Sequence, residues 1–247
     1  MEPPILTTMV VLYTMGVRLD TTKLVERLPL TPVFIKLEKQ GVLKRGESKK
    51  DRIRHRASPS AAPKRTTGFG HNSITLVLLS DGNGTLPRKE ITVKIFQNGV
   101  FHITGVLDER YDRDVVARIR EAIETSCPEA MLEGTWTPET RRVVLMNYKT
   151  SLRGVTNLSR ESLHSALRRL GYKTNYEPAV YPAVKVYFPN TKWIAKVFRT
   201  GQVILTGMTT AAECEALVQQ LGPTLADVTG LARSTLGTGS QSPLCSR

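Results

Sequence analysis

Apolar residues fall into short runs along the chain, and turn residues separate the runs. Residues 5–12 form the first run, with Thr7 and Thr8 inside it, and predict a strand. Asp20 is a good helix N-cap, and Leu24 and Leu28 follow at helical spacing, so a short amphipathic helix is expected there. Residues 74–79 predict another strand, and DGNGTLPRKE (81–90) a turn-rich excursion. ITVKIFQNGVFHITG reads as two strands joined at Asn98-Gly99. Val115, Val116, Ile119 and Ile123 share one side of a helix over 108–123, and 127–140 reads as a linker. The second half gives strands at 142–146, 181–188, 192–198 and 203–206. It also gives a helix capped by Ser159 and a closing helix over 210–221. The tail beyond Val228 is rich in Gly, Ser and Thr, and disorder is expected.

The two halves repeat. GVRLDTTKLVERL (16–28) aligns with GVTNLSRESLHSAL (154–167), placing Leu19, Leu24 and Leu28 under Leu158, Leu163 and Leu167. VKIFQNGVFHITG (93–105) aligns with AKVFRTGQVILTG (195–207). The first half is longer, and the extra length falls in the segments 44–66 and 81–90. Two copies of one strand–helix–strands–helix unit imply an α+β fold with pseudo-two-fold symmetry.

Alternation sorts the hairpin residues onto two faces. Thr92, Lys94, Phe96, His102 and Thr104 share one face; Val93, Ile95, Phe101 and Ile103 take the other. In the second copy Ile194, Lys196, Phe198, Ile204 and Thr206 stand against Trp193, Ala195, Val197, Val203 and Leu205. The wholly apolar set is expected as core beneath the helices. The other set mixes aromatics, threonines and lysines, which is unusual for a solvated surface. Phe96 and Phe198 read either as core aromatics or as exposed contact residues, and Lys94 and Lys196 as solvated charges or as ligand contacts.

Charge changes the picture less than its total suggests. The 247 residues hold 35 Lys plus Arg against 22 Asp plus Glu, a formal charge of +13. That favours a polyanionic partner but says nothing of the fold. Residues 44–65 alone supply about half of it: Lys44, Arg45, Lys49, Lys50, Arg52, Arg54, Arg56, Lys64 and Arg65 stand against Glu47 and Asp51. This stretch lacks apolar periodicity and is expected to be a solvated loop or arm, with a DNA clamp or a nuclear import signal as the sharper readings. The chain also contains options it excludes. Cys127, Cys214 and Cys245 are too far apart for a disulfide framework or a metal knuckle. No apolar run reaches the roughly 20 residues of a membrane span. The apolar N-terminus carries Glu2 where a signal peptide has basic residues. His55, His71 and His164 are scattered, and no catalytic arrangement emerges, so the chain is expected not to be an enzyme and to need no cofactor or metal.

The shared block K-[IV]-F-x-x-G-x-x-x-T-G and the segment YEPAVYPAVKVYF (176–188) resemble the TATA-box-binding protein family. The pattern, with its long insertion before Phe69, is most similar to the divergent TATA-binding-like proteins of nucleocytoplasmic large DNA viruses. The resemblance covers roughly residues 4–228, leaving out the insertion. It implies two repeats forming a saddle, with one curved antiparallel sheet and helices on its convex side. The repeats would be 4–126 and 141–228, joined by the linker 127–140 and followed by a disordered tail over 229–247. It implies a general transcription initiation factor that binds the minor groove of A·T-rich promoter DNA, bends it, and recruits RNA polymerase subunits and a B-type general transcription factor. Such a protein would act as a monomer, without a membrane, in a nucleus or in a cytoplasmic viral factory.

Carried over position by position, the resemblance makes Phe69, Phe96, Tyr181 and Phe198 the wedges that enter base steps. Asn147 matches the central Asn that reads base edges, and Thr104, Thr206 and Ile204 match groove-lining positions. Departures stand beside these matches. Thr8 occupies the place of the other central Asn, and His102 that of a Val. Lys94 and Lys196 replace apolar groove residues, Val100 and Gln202 replace a Lys after the hairpin Gly, and Tyr181 gives one wedge a polar tip. These changes shift weight from base selection toward phosphate contacts, or toward a protein-interaction platform on the same fold.

Overall fold

The protein was analysed as a computed structural model that describes residues 1–57, 72–137 and 140–230, with the side chains of 54–57 left out. The chain divides into two compact units, Thr8–Val144 and Met1–Thr7 with the chain from Leu145 onward. We refer to them as the N-terminal and C-terminal units.

The N-terminal unit is built from β1 (Ile5–Thr14, entering at Thr8), β2 (Arg18–Leu19), α1 (Thr21–Arg27), β3 (Phe34–Lys39) and β4 (Leu43–Gly46). Then come α2 (Lys49–Ala57), β5 (Ser73–Ser80), β6 (Lys89–Phe96), β7 (Val100–Val106), α3 (Glu109–Ser126) and β8 (Met131–Glu133). Its main sheet is antiparallel in the order β1-β7-β6-β5-β3-β4. The C-terminal unit holds β9 (Thr140–Ser151, entering at Leu145), α4 (Arg160–Arg169), β10 (Lys173–Asn175), β11 (Ala183–Tyr187), β12 (Ile194–Phe198), β13 (Gln202–Met208) and α5 (Ala211–Val228). Its strands pair antiparallel in the order β10-β11-β12-β13-β9. The fold is therefore α+β, with one strand–helix–strands–helix unit occurring twice.

The caps expected at Asp20 and Ser159 are in place, and Asp108 and Thr210 cap the two long helices. Asp20 accepts from the amides of Thr22 and Lys23, and Asp108 from that of Arg110. Ser159 accepts from Ser162, and Thr210 forms a reciprocal capping box with Glu213. The apolar alternation packs as expected too. Val93, Ile95, Phe101 and Ile103 are buried in one unit, and Ala195, Val197, Val203 and Leu205 in the other. Val115, Val116, Ile119 and Ile123 of α3 and Leu217, Leu221 and Leu225 of α5 complete the cores.

The repeat is visible in the main-chain hydrogen bonds. Gly99 N donates to Phe96 O at 3.0 Å, and Gly201 N to Phe198 O at 3.0 Å. Both glycines are left-handed, with φ of 73° and 77°. Each hairpin thus closes with a turn followed by a left-handed Gly, and Asn98 itself keeps a negative φ. The loop before the first helix docks against each turn in the same way. Leu19 N donates to Gln97 O at 2.8 Å, and Leu158 N to Arg199 O at 2.7 Å. A side chain on Gly99 would strike Val17 O, and one on Gly201 would strike Val155 O at 2.7 Å.

Two segments differ from the sequence expectation. The linker 127–140 folds onto the N-terminal unit: Cys127 and Ala130 are buried, and β8 pairs with β2. At its end Arg141 makes two hydrogen bonds to buried Asp112, at 2.6 and 3.2 Å, and Tyr13 Oη donates to the same carboxylate at 2.8 Å. The closing helix also runs past Leu221 to Val228, because Leu225 continues the buried stripe beyond Pro223.

The basic stretch is the larger correction. Residues 44–57, expected as part of a loop or arm, contain the end of β4 and all of α2; residues 58–65 lie outside those described. Polar contacts replace the missing apolar periodicity. Ser48 donates through its amide and hydroxyl to Asp51 at 2.9 and 2.6 Å, closing the first turn. Asp51 also binds Lys36 Nζ at 2.9 Å and Lys44 Nζ at 3.3 Å, and Lys36 reaches Glu38 at 2.6 Å. Lys36 is only 7% exposed and Asp51 9%. Arg45 turns to the other side and donates to the carbonyls of Val25, Glu26 and Leu28 at 3.2, 3.0 and 2.8 Å, capping the end of α1.

Burial alone would raise the Asp51 carboxyl, but hydrogen bonds from Ser48 and the Lys36 ammonium outweigh it and hold the group well below the usual carboxylate range. Replacing Asp51 with Ala leaves a buried ammonium with one partner fewer and should cost roughly 3 kcal/mol of stability. For a depressed carboxyl, the stabilisation is complete above the unfolded-state pKa of about 3.9 and is lost as pH falls toward the folded value. The stability difference between wild type and Asp51→Asn, measured by urea unfolding, should therefore hold down to about pH 5 and narrow as pH is lowered from there to ~2. Gly99→Ala and Gly201→Ala should each lower stability by at least about 1 kcal/mol, read as a lower urea midpoint at an unchanged m-value.

Candidate nucleic-acid interface

Each unit has one sheet face packed under α1 and α3, or α4 and α5, and an opposite face that these helices leave open. In the N-terminal unit the covered face is marked by Leu37, Leu76, Val93 and Ile103, which face one another across the register. Lys39, two residues from Leu37, donates to Thr21 and Thr22 of α1 at 2.8 and 2.6 Å, which places α1 on that side. The intervening residues form the open face. One row runs Lys36–Val77–Thr92–Thr104–Val10 across the strands, and the next runs Lys44–Glu38–Thr75–Lys94–His102–Leu12. Thr92, Lys94, Phe96, His102 and Thr104 thus share one face, as expected from alternation. Lys94 is exposed and the others half-buried. Burial, then the charge of Lys94 beside it, push the His102 imidazole below its ordinary pKa. Thr8 is half-buried on β1.

In the C-terminal unit the open face carries the row Lys185–Lys196–Ile204–Lys149, and beside it Tyr187–Ile194–Thr206. Asn147 accepts a short hydrogen bond from the Thr206 hydroxyl at its Oδ1, which leaves the Nδ2 amide outside this bond. Thr7 donates to the Asn147 carbonyl at 3.0 Å and fixes the strand there.

Tyr181 lies before β11 and meets Phe198 edge-on, with ring centroids 6.0 Å apart and planes at 61°. Lys185 Nζ lies 4.9 Å and Lys196 Nζ 5.7 Å from the centre of the same Tyr ring. Two of the four expected wedges are thus brought together and flanked by two ammonium groups. The turn holding Tyr181 is fixed from outside: Arg160 donates to Pro182 O at 2.7 Å, and the amides of Val180 and Tyr181 both donate to Glu177 O.

Lys185 and Lys149 were missed in the sequence. The signal was present in the alternation Tyr187–Lys185–Ala183 and Lys149–Asn147, but assigning it needs the strand register that pairs Lys185 with Lys196 and Lys149 with Ile204. Phe96 is half-buried at the end of β6. Phe69, Lys64 and Arg65 lie outside the described residues, and Arg54 and Arg56 are described only as backbone of α2. Among the basic residues of the insertion, Lys44 and Arg45 are engaged by Asp51 and the end of α1, while Lys49, Lys50 and Arg52 are exposed.

The two open faces differ in one respect. In the N-terminal unit α2 docks on the open side: its Asp51 binds Lys36, and Lys49 N donates to the Glu90 carboxylate at 3.0 and 3.2 Å. Lys36 and Glu90 both alternate with core residues and so belong to the open face.

Among the described residues, no group of three His, Cys, Asp or Glu side chains is arranged to hold a metal ion. No described helix is long and apolar enough to cross a membrane.

Residues 157–228 match the family model described as transcription factor TFIID, or TATA-binding protein. No curated protein sequence matches the chain. Among solved structures, the TATA-binding protein of Methanococcus jannaschii aligns over 92% of this chain and 99% of its own, with a TM-score of 0.58 and 13% sequence identity. At that identity the likeness establishes the fold, and the family pattern over 157–228 establishes the kinship of the second repeat. Residues 157–228 thus carry the sequence pattern of the TATA-binding protein family, and the chain as a whole has the fold of that archaeal protein.

Proposed function

We propose that this protein is a DNA-binding transcription initiation factor that lays its open sheet faces in the minor groove of A·T-rich promoter DNA and bends it. The observation that carries the reading is the Tyr181–Phe198 pair. Two aromatic rings stand edge to face on a sheet side without helix cover, between Lys185 and Lys196. An aromatic pair in such a place has no core to fill. It suits insertion at a base step, where apolar rings replace stacking and the ammonium groups meet the phosphates alongside. Thr104, Thr206 and Ile204 add small apolar and hydroxyl contacts of the kind a degenerate A·T floor accepts. The Nδ2 amide of Asn147 is the donor able to meet the acceptors of that floor. Phe96 and Phe69 are the corresponding wedges of the N-terminal unit. On this reading the protein acts without catalysis, as a monomer, in a nucleus or a viral factory, and presents a platform to polymerase subunits and a B-type general factor.

The row Lys185–Lys196–Lys149 supports a second reading, an architectural binder without promoter choice. Three lysines in one row make contacts that carry no base information.

Bending is read by fluorescence transfer between labelled duplex ends. Wild type should bend an A·T-rich duplex, and Phe198→Ala should abolish the bend and most of the affinity. Since Phe198 is only half-buried, the variant should lose far less than the ~3–5 kcal/mol of a buried Phe truncation. No bend on any A·T-rich duplex would sink the first reading. Equal, salt-dependent affinity for A·T-rich and G·C-rich duplexes would favour the second.

A further inference from the structure

The inserted helix α2 is fixed on the open side of the N-terminal sheet and leaves Lys49, Lys50 and Arg52 exposed. Asp51, its one acidic residue, is turned inward and buried against Lys36, whose side chain rises from the same face as Thr92 and Thr104. Lys49 N is held by Glu90, from the next open-face position along β6. With the anion turned in, the outward side of the first turns is cationic: Lys49, Lys50 and Arg52 are all exposed. Among the described residues no acidic side chain bridges to any of the three within ion-pair distance.

From this placement we propose that α2 is a fixed cationic shoulder that engages the phosphates of the duplex bound on the N-terminal open face, through Lys49, Lys50 and Arg52. The inference rests on the DNA-binding reading above and adds to it a binding surface built by the insertion. Two points favour a permanent shoulder over a displaceable cover. The anchor is buried and multiply hydrogen-bonded, with Ser48, Lys36 and Lys44 all on one carboxylate. Displacing α2 would also leave Lys36 with Glu38 as its one remaining ion-pair partner on the floor a duplex has to meet, whereas leaving it in place keeps Lys49, Lys50 and Arg52 exposed beside that floor. The shoulder supplies affinity and salt dependence but no base selection.

The test compares the full-length wild type, the triple variant Lys49→Gln/Lys50→Gln/Arg52→Gln, the charge-keeping swap Lys49→Arg/Lys50→Arg/Arg52→Lys, and Phe198→Ala. Duplex affinity is titrated between about 50 and 200 mM salt. The three sites are exposed, so thermal unfolding should be unchanged in both triple variants. The Gln variant should bind on the order of tenfold or more weakly, with a log–log salt slope shallower by about 2–3, and the swap should restore both. An unchanged slope in the Gln variant overturns the shoulder. So does tighter binding, which would make α2 a strap across the sheet floor. If wild type bends the duplex, Phe198→Ala loses it and the Gln variant matches wild type, the shoulder alone falls. If wild type binds no duplex, both readings fall together.

Discussion

A strand covered by helices on one side can bury only every other residue, so the sequence of each hairpin has to supply two different surfaces at once. Most of this molecule follows from that constraint. Val93, Ile95, Phe101 and Ile103, and their counterparts Ala195, Val197, Val203 and Leu205, are committed to the core. Whatever stands between them is pushed to the open face, whether or not water suits it. Phe96 and Phe198 are therefore displayed because neither can move to the other side without slipping the register of its whole strand and turning core residues outward. The open face is a consequence of the covered one, and its aromatic and threonine content is the part left for binding to shape.

The second constraint is the close approach at each hairpin end. A loop carbonyl, from Val17 or Val155, sits where the first side-chain carbon of any other residue would have to go. Gly99 and Gly201 meet both demands, a left-handed backbone and a vacant side, and so lock the loop before the first helix of each unit to the hairpin carrying Phe96 or Phe198. This is why the two copies keep the same geometry where their sequences share little more than F-x-x-G and T-G.

These two constraints also explain what could be read from the sequence. Alternation placed Phe96, Lys94, His102, Phe198, Lys196 and Ile204 on the right side of their strands, and the caps at Asp20 and Ser159 placed α1 and α4. What escaped was held by contacts with no periodic signature. Helix α2 has no apolar stripe; it forms because one carboxylate satisfies Ser48, Lys36 and Lys44 together, and such a cluster is invisible until β3 and β4 are paired. Strands β3 and β10 were unassigned for a related reason. The first carries charged residues at Lys36, Glu38 and Lys39, and the second is three residues long. Lys185 shares its ring contact with Lys196 only through register, which local pattern cannot supply.

The lysines are where this chain departs most from a purely apolar groove surface, and their placement gives the departure a physical sense. An ammonium group buried against an apolar groove floor would lose hydration without recovering it. Lys185 and Lys196 instead stand beside the Tyr181 ring, whose π-face offers partial compensation while the flexible stems leave the charges free to reach outward. A narrow A·T minor groove concentrates negative potential, and cations at its mouth gain most there. On the proposed reading, then, selection by this face leans on groove shape and potential more than on base-edge contacts. On that reading, lysines at positions 94 and 196 would exchange sequence discrimination for electrostatic affinity, and α2 would extend the same exchange beyond the sheet.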